Sequence, residues 1–136
     1  MMPASSFQAF QESPYLSKDA SAQGAVAKDL ASAQELFNLA SEKTKAAGDP
    51  AEVTLASYRS MYCSAKALVH HAGYEITNFR ALLTALEKLF TGENKLDQAL
   101  TDQWVASQRL VGNAEDHLKA AGDFLARAKQ LTGSKA

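Results

Sequence analysis

Residues 49–73 read DPAEVTLASYRSMYCSAKALVHHAG, and their reading decides the fold. Asp49 can accept hydrogen bonds from free backbone N–H groups, and Pro50 suits the first helical position. Glu52 stands where a capping box places its acid. Gly73 can take the left-handed conformation that ends a helix. Between these signals Ala51, Leu55, Tyr58, Tyr62, Ala65 and Val69 recur at helical spacing, and Met61, Leu68 and Ala72 widen the stripe. A helix apolar over so much of its surface is expected to be the central post of a bundle.

Working outward, a first long helix is predicted over about residues 22–47. Val26, Leu30, Ala33, Phe37 and Ala40 form its seam, while Lys28, Glu35, Glu42 and Lys43 lie largely off it. Gly48 ends it and Asp49 starts the next helix at once, which makes the two antiparallel neighbours. After the connector YEITN, Thr77 or Asn78 can cap a third helix reaching about Phe90. Its apolar face is Phe79, Leu82, Leu83, Leu86, Leu89 and Phe90. Asn94 is the expected cap of the last helical region.

In that region a seam from Leu100 and Trp104 runs through Ser107, Val111, Ala114, Leu118, Ala121, Leu125 and Ala128. The rhythm permits one continuous helix. Gly112–Asn113, a stop followed by a cap, favours two roughly collinear helices instead. No strand pattern is legible. The expectation is an all-α, up-and-down bundle of four to five antiparallel helices. A weakly ordered arm over residues 1–20 precedes a single domain at 21–132, and a frayed tail follows at 133–136. Tyr62, Ala65 and Trp104 are expected in the core.

The chain has 136 residues, 46% apolar and 21% charged, enough for one well-filled core. A net charge of −1 argues against general attraction to nucleic acid or anionic membrane, leaving room only for a local basic face. Cys63 is the single cysteine, so no internal disulfide can form. The opening residues MMPASSFQAFQESPYL lack a basic start and a long apolar run, and no stretch approaches the ~20 apolar residues of a membrane span. A cytoplasmic setting is the resulting expectation.

Three sets of residues can carry chemistry. His70 and His71 are adjacent on a helix and point about 100° apart, so they do not grip one metal, and no metal or cofactor is expected. Arg59, Cys63, Lys66 and His70 form one stripe. It is either a solvated face or a contact for a phosphate-bearing ligand or second subunit, with basic neighbours that can activate the thiol. Arg109, Asn113 and His117 recur every four residues. The imidazole can take a proton from a 2′-hydroxyl and the guanidinium can neutralise a phosphorane, as metal-free RNA cleavage requires. On a continuous helix, however, Arg109 and His117 stand about 12 Å apart along the axis, on an outer face. No phosphate loop, nucleophile elbow, zinc pattern or EF-hand loop is present.

The segment LASYRSMYCSAKALVHHAGYEITNFRALLTALEKLF resembles the HEPN (higher eukaryotes and prokaryotes nucleotide-binding) family. The resemblance is carried by Ala56, Tyr58, Met61 or Tyr62, Ala65, Leu68, Gly73 and Tyr74. It implies a helical bundle, usually a homodimer. In catalytic members it implies a metal-independent endoribonuclease site of Arg and His, here Arg109 and His117. Their spacing is one residue longer than in those members. Other members are non-catalytic nucleotide- or RNA-associated modules, or partners of small nucleotidyltransferases in toxin–antitoxin pairs. The leading expectation is such a binding or partner module, with Arg59, Lys66 and His70 as ligand contacts. The nuclease is its first rival and a purely structural helical protein its second.

Overall fold

A computed structural model describes residues 16–133. Most of the expected N-terminal arm and of the tail lies outside that span. The described part of the arm is a short strand, β1 (Leu16–Lys18), followed by a 3-10 turn at Ala20–Ala25. Five α-helices come next: α1 (Val26–Lys45), α2 (Pro50–His71), α3 (Phe79–Leu86), α4 (Gln98–Gln108) and α5 (Ala114–Thr132). Among the described residues the chain is all-α apart from one antiparallel pair of three-residue strands. β1 pairs with β2 (Tyr74–Ile76), with Leu16 opposite Ile76 and Lys18 opposite Tyr74. These strands correct the expectation of none; three residues are too few to show a two-residue rhythm.

α2 is the central post, with α1, α5, α3 and α4 all packed against it. Its start follows the expected chemistry, since Asp49 accepts from the Ala51 amide at 2.9 Å and Pro50 opens the first turn. Glu52 does not complete a capping box. It pairs instead with Lys43 of α1 at 2.7 Å, across the tight α1–α2 turn. The helix ends before Gly73, whose φ of +92° is the left-handed cap anticipated for it.

The buried face of α2 is rotated from the expected stripe. Ala51 and Leu55 are exposed, Tyr58 and Tyr62 are half-buried, and Ala72 lies outside. The inner surface holds Val53, Ala56, Met61, Ala65, Ala67, Leu68 and Val69 together with Ser57, Ser60 and Ser64. Small side chains there let the neighbouring helices approach closely, and Ser60 Oγ donates to the Ala33 carbonyl of α1 at 2.8 Å. Burying the apolar members stabilises the fold by about 25 cal/mol per Å² removed from water.

Asn78 caps α3 by accepting from the Ala81 amide at 2.8 Å. The helix runs on into a single π-type turn at Glu87–Thr91. Asp97, not Asn94, caps α4, accepting from the Ala99 amide at 3.0 Å. Asn94 sits in the loop before it with φ +59°. The break at Gly112–Asn113 is present and Asn113 caps α5, but α4 and α5 are not collinear. Ala99, Leu100 and Gln103 of α4 line one cleft with Asp116, Lys119, Ala120 and Asp123 of α5, so the two helices run antiparallel side by side.

Trp104 is the largest fully buried side chain. Its ring centroid lies 4.8 Å from that of Phe79 and 6.1 Å from those of Tyr62 and Phe124, edge-on to each. Trp104 and Ala65 therefore sit in the core as expected, while Tyr62 lies at its margin. No described helix is long and apolar enough to cross a membrane.

Candidate functional site

The reversal between α4 and α5 decides the fate of the Arg109–Asn113–His117 set. His117, in the second turn of α5, is fully buried. Its Nε2–H donates to the Val111 carbonyl at 2.7 Å, and its Nδ1 accepts from the Gln103 side-chain amide of α4 at 2.8 Å. Both ring nitrogens are occupied and neither reaches solvent. Asn113 spends its side chain on capping, accepting from the Glu115 amide at 2.7 Å. Arg109, at the C-terminal cap of α4, is exposed. The three residues that the rival nuclease reading would gather around one phosphate are thus divided among a buried brace, a helix cap and a surface cation. The geometry of general-base catalysis is not assembled.

The set on α2 is divided as well. Arg59 and Lys66 lie on the least covered stripe of the helix with Leu55 and Tyr62. His70, at the C-terminal end of that stripe, is roofed over by α1 and β2. Its Nδ1 lies 2.5 Å from Asp29 Oδ2 and its Nε2 lies 3.0 Å from Glu75 Oε1. Hydrogen bonding to Asp29 raises the imidazole above its ordinary value of 6.5, against the downward pull of burial, and Glu75 adds to the rise. His70 is therefore an internal ion-pair member rather than a surface ligand contact. Cys63 is not activated: burial pushes its thiol upward, and the opposing field of Lys66 is the smaller effect. Among the described residues no three His, Cys, Asp or Glu side chains gather as a metal site.

A different grouping emerges where α3 and α4 meet. Phe79, Arg80 and Leu83 of α3 face Val105, Gln108 and Arg109 across a groove of about 250 Å³. Asn78 sets this arrangement, because capping there puts Phe79 and Arg80 in the first turn of α3. Phe79 is half-buried and continues an aromatic surface, its ring centroid 6.1 Å from Tyr58 and 6.5 Å from Tyr62. Burial raises both phenols, so they stay protonated near neutral pH. Arg80 and Arg109 are exposed, and their guanidinium groups take no part in the ion pairs or hydrogen bonds among the described residues. Two free guanidinium groups beside an aromatic floor can hold an anionic group attached to a planar one.

The sequence singled out Arg109 only as a catalytic cation of the nuclease reading; it did not single out Arg80, and Phe79 read as a core position of the third helix. The signal available was Asn78, whose cap fixes where that helix starts. A second cleft, of about 450 Å³ between α1 and α5, is lined by Phe37, Gly122, Leu125 and Ala126, and its Lys129 already donates to Gln34 at 2.8 Å. No family model matches the chain, and no curated protein or solved structure is significantly similar to it.

Proposed function

We propose that this chain is a non-catalytic, HEPN-like binding module whose Arg80–Arg109 groove takes a phosphate-bearing ligand, a nucleotide or short single-stranded RNA. The observation that carries the reading is the pair of guanidinium groups without a partner among the described residues, brought from two helices to one groove beside the half-buried Phe79 ring. Arginine matches phosphate oxygens in planar, two-point fashion, and aromatic faces accept any base. Arg59 and Lys66 extend the positive character along the neighbouring face of α2. With a net charge of −1, attraction is confined to this face, so binding is modest and salt-sensitive. The reading is of binding rather than cleavage because both nitrogens of His117 are engaged inside the fold.

Exposed Leu39, Leu55, Leu110 and Val111 supply apolar contact area for a second copy or for a nucleotidyltransferase partner, the assemblies that the family resemblance implies. The test is fluorescence anisotropy with a fluorescein-labelled oligouridylate at low salt. Saturable binding that ADP competes for and that Arg80→Ala and Arg109→Ala each weaken is expected. Binding indifferent to both substitutions, or none at millimolar protein, sinks the proposal.

A further inference from the structure

His70 joins three segments that are distant in sequence. Asp29 comes from α1, His70 from the last turn of α2, and Glu75 from the middle of β2. Each ring nitrogen faces a carboxylate oxygen, at 2.5 Å and 3.0 Å, and two carboxylates can both be satisfied only by a ring that carries both N–H protons. The two acids are not equivalent. Asp29 is buried, whereas the Glu75 side chain is 45% exposed and has water at hand when released.

The segment that Glu75 fastens is well placed to matter. β2 pairs with β1, and the Asp19 amide extends that pairing by donating to the Gly73 carbonyl at 2.8 Å. In the other direction β2 leads within two residues to Asn78, the cap of α3, and so to Phe79 and Arg80 of the candidate groove. We propose that His70 is a proton-operated latch. Doubly protonated, it clasps β2 to α1 and α2; on losing the Nε2 proton it keeps Asp29, releases Glu75, and loosens both the β1–β2 pair and the seat of the first turn of α3. The consequence for ligand binding rests on the function proposed above, while the latch itself does not.

The charged surroundings are simple. From α1 the ring meets Asp29 and from β2 it meets Glu75, the two groups whose charges act on it. On α2 itself Lys66 stands one turn earlier and acts on Cys63. The 3-10 turn contributes neutral Gln23, which donates to the His71 carbonyl at 2.9 Å, while Asp19 at its cap is engaged with Ser21. When the proton leaves, Nε2 becomes an acceptor facing an acceptor, and the more exposed carboxylate, whose same oxygen also accepts from the Ile76 amide at 3.3 Å, is the one that moves away.

The experiment is hydrogen exchange by NMR on the ligand-free chain, with ring nitrogen shifts of His70 followed in the same samples. Protection factors, corrected for the pH dependence of intrinsic exchange, are read at the Asp19 and Ala81 amides. Both are expected to fall about ten-fold as His70 loses its Nε2 proton, with Nδ1 remaining protonated. In Glu75→Gln, whose neutral amide satisfies either ring state, the fall is expected to vanish. Protection that stays level through the His70 titration, or that falls equally in Glu75→Gln, overturns the latch. Because no ligand is present, these outcomes are independent of whether the groove binds RNA. Titrating the labelled oligouridylate at the same pH values then tests the groove: loss of affinity parallel to the loss of protection supports the coupling, and affinity that ignores an opened latch overturns it.

Discussion

Gln103 on α4 and His117 on α5, fourteen positions apart, meet at 2.8 Å between the side-chain amide and Nδ1. The contact closes the antiparallel α4–α5 pair from within. The other ring nitrogen of His117 holds the Val111 carbonyl, so one imidazole braces both the neighbouring helix and the turn that joins them.

Replacing His117 with alanine should therefore be a stability mutation. It removes a fully buried ring and leaves the Gln103 amide and the Val111 carbonyl without partners. The expected cost is about 2–4 kcal/mol, a fall in melting temperature of roughly 10 °C by calorimetry. A shift within a degree of wild type would show that the brace contributes nothing.

Gly112 should be equally intolerant for a different reason. Its φ is +100°, and a Cβ there would stand 3.4 Å from the His117 ring. Gly112→Ala is expected to cost about 1–3 kcal/mol through backbone strain. Gly24→Ala, with no atom within 4 Å of the added Cβ, is the control and should be neutral or slightly stabilising. Equal denaturation midpoints for the two variants would refute the assignment.

Trp104 offers a size series. Trp104→Ala should cost roughly 3–5 kcal/mol, as expected for a fully buried aromatic. Trp104→Phe should cost about half of that or less, because the indole Nε1 has no hydrogen-bond partner among the described residues and none is lost. Urea titrations monitored by far-UV circular dichroism would resolve the two, and a phenylalanine as damaging as an alanine would contradict this account.

Stability should also depend on pH through His70. Its folded-state value is raised above the ordinary 6.5, with the Asp29 hydrogen bond as the largest cause. A raised value means that the folded chain binds the proton more tightly than the unfolded one. That stabilisation is complete below about 6.5 and is lost as pH rises through the folded value. Melting temperature should decline from mildly acidic towards alkaline pH, and His70→Gln should flatten the decline. A wild-type profile that rises over this range, or a slope that His70→Gln leaves intact, would reverse the sign argued here.

Arg80 and Arg109 are exposed and their guanidinium groups have no partner among the described residues, so alanine at either should leave the melting temperature nearly unchanged while weakening oligonucleotide binding. Each should also reduce the slope of log affinity against log salt by about one if it contacts a phosphate. Loss of affinity with an unchanged salt slope would assign the arginines to packing rather than to phosphate.

The helices were legible because their ends carry local chemistry. Asp49–Pro50, Gly73 and Gly112–Asn113 act within a few residues of where they stand, and each acts as its type demands. The phase of α2 was not legible. Ser57, Ser60 and Ser64 count as polar in a periodicity argument, yet they are buried because small hydroxyl side chains admit close helix packing. His117 was misplaced for a longer-range reason. The spacing from Arg109 puts His117 on an outer face only if the helix continues, and the reversal at Gly112 instead sends the ring inward towards Gln103. Arg80 was overlooked because its meaning depends on Arg109, a residue brought beside it only by tertiary packing.

The edge-on stack of Phe79 on Trp104 also makes the protein its own reporter. Trp104 is the sole indole in the chain, so its emission has a single origin. Tyr62 lies against it at 6.1 Å and Tyr58 one ring further out, close enough to pass excitation energy to it. Phe79 touches the indole with one edge and lines the candidate groove, so a ligand that displaces it would alter the near-UV dichroism of Trp104 without a dye or a label.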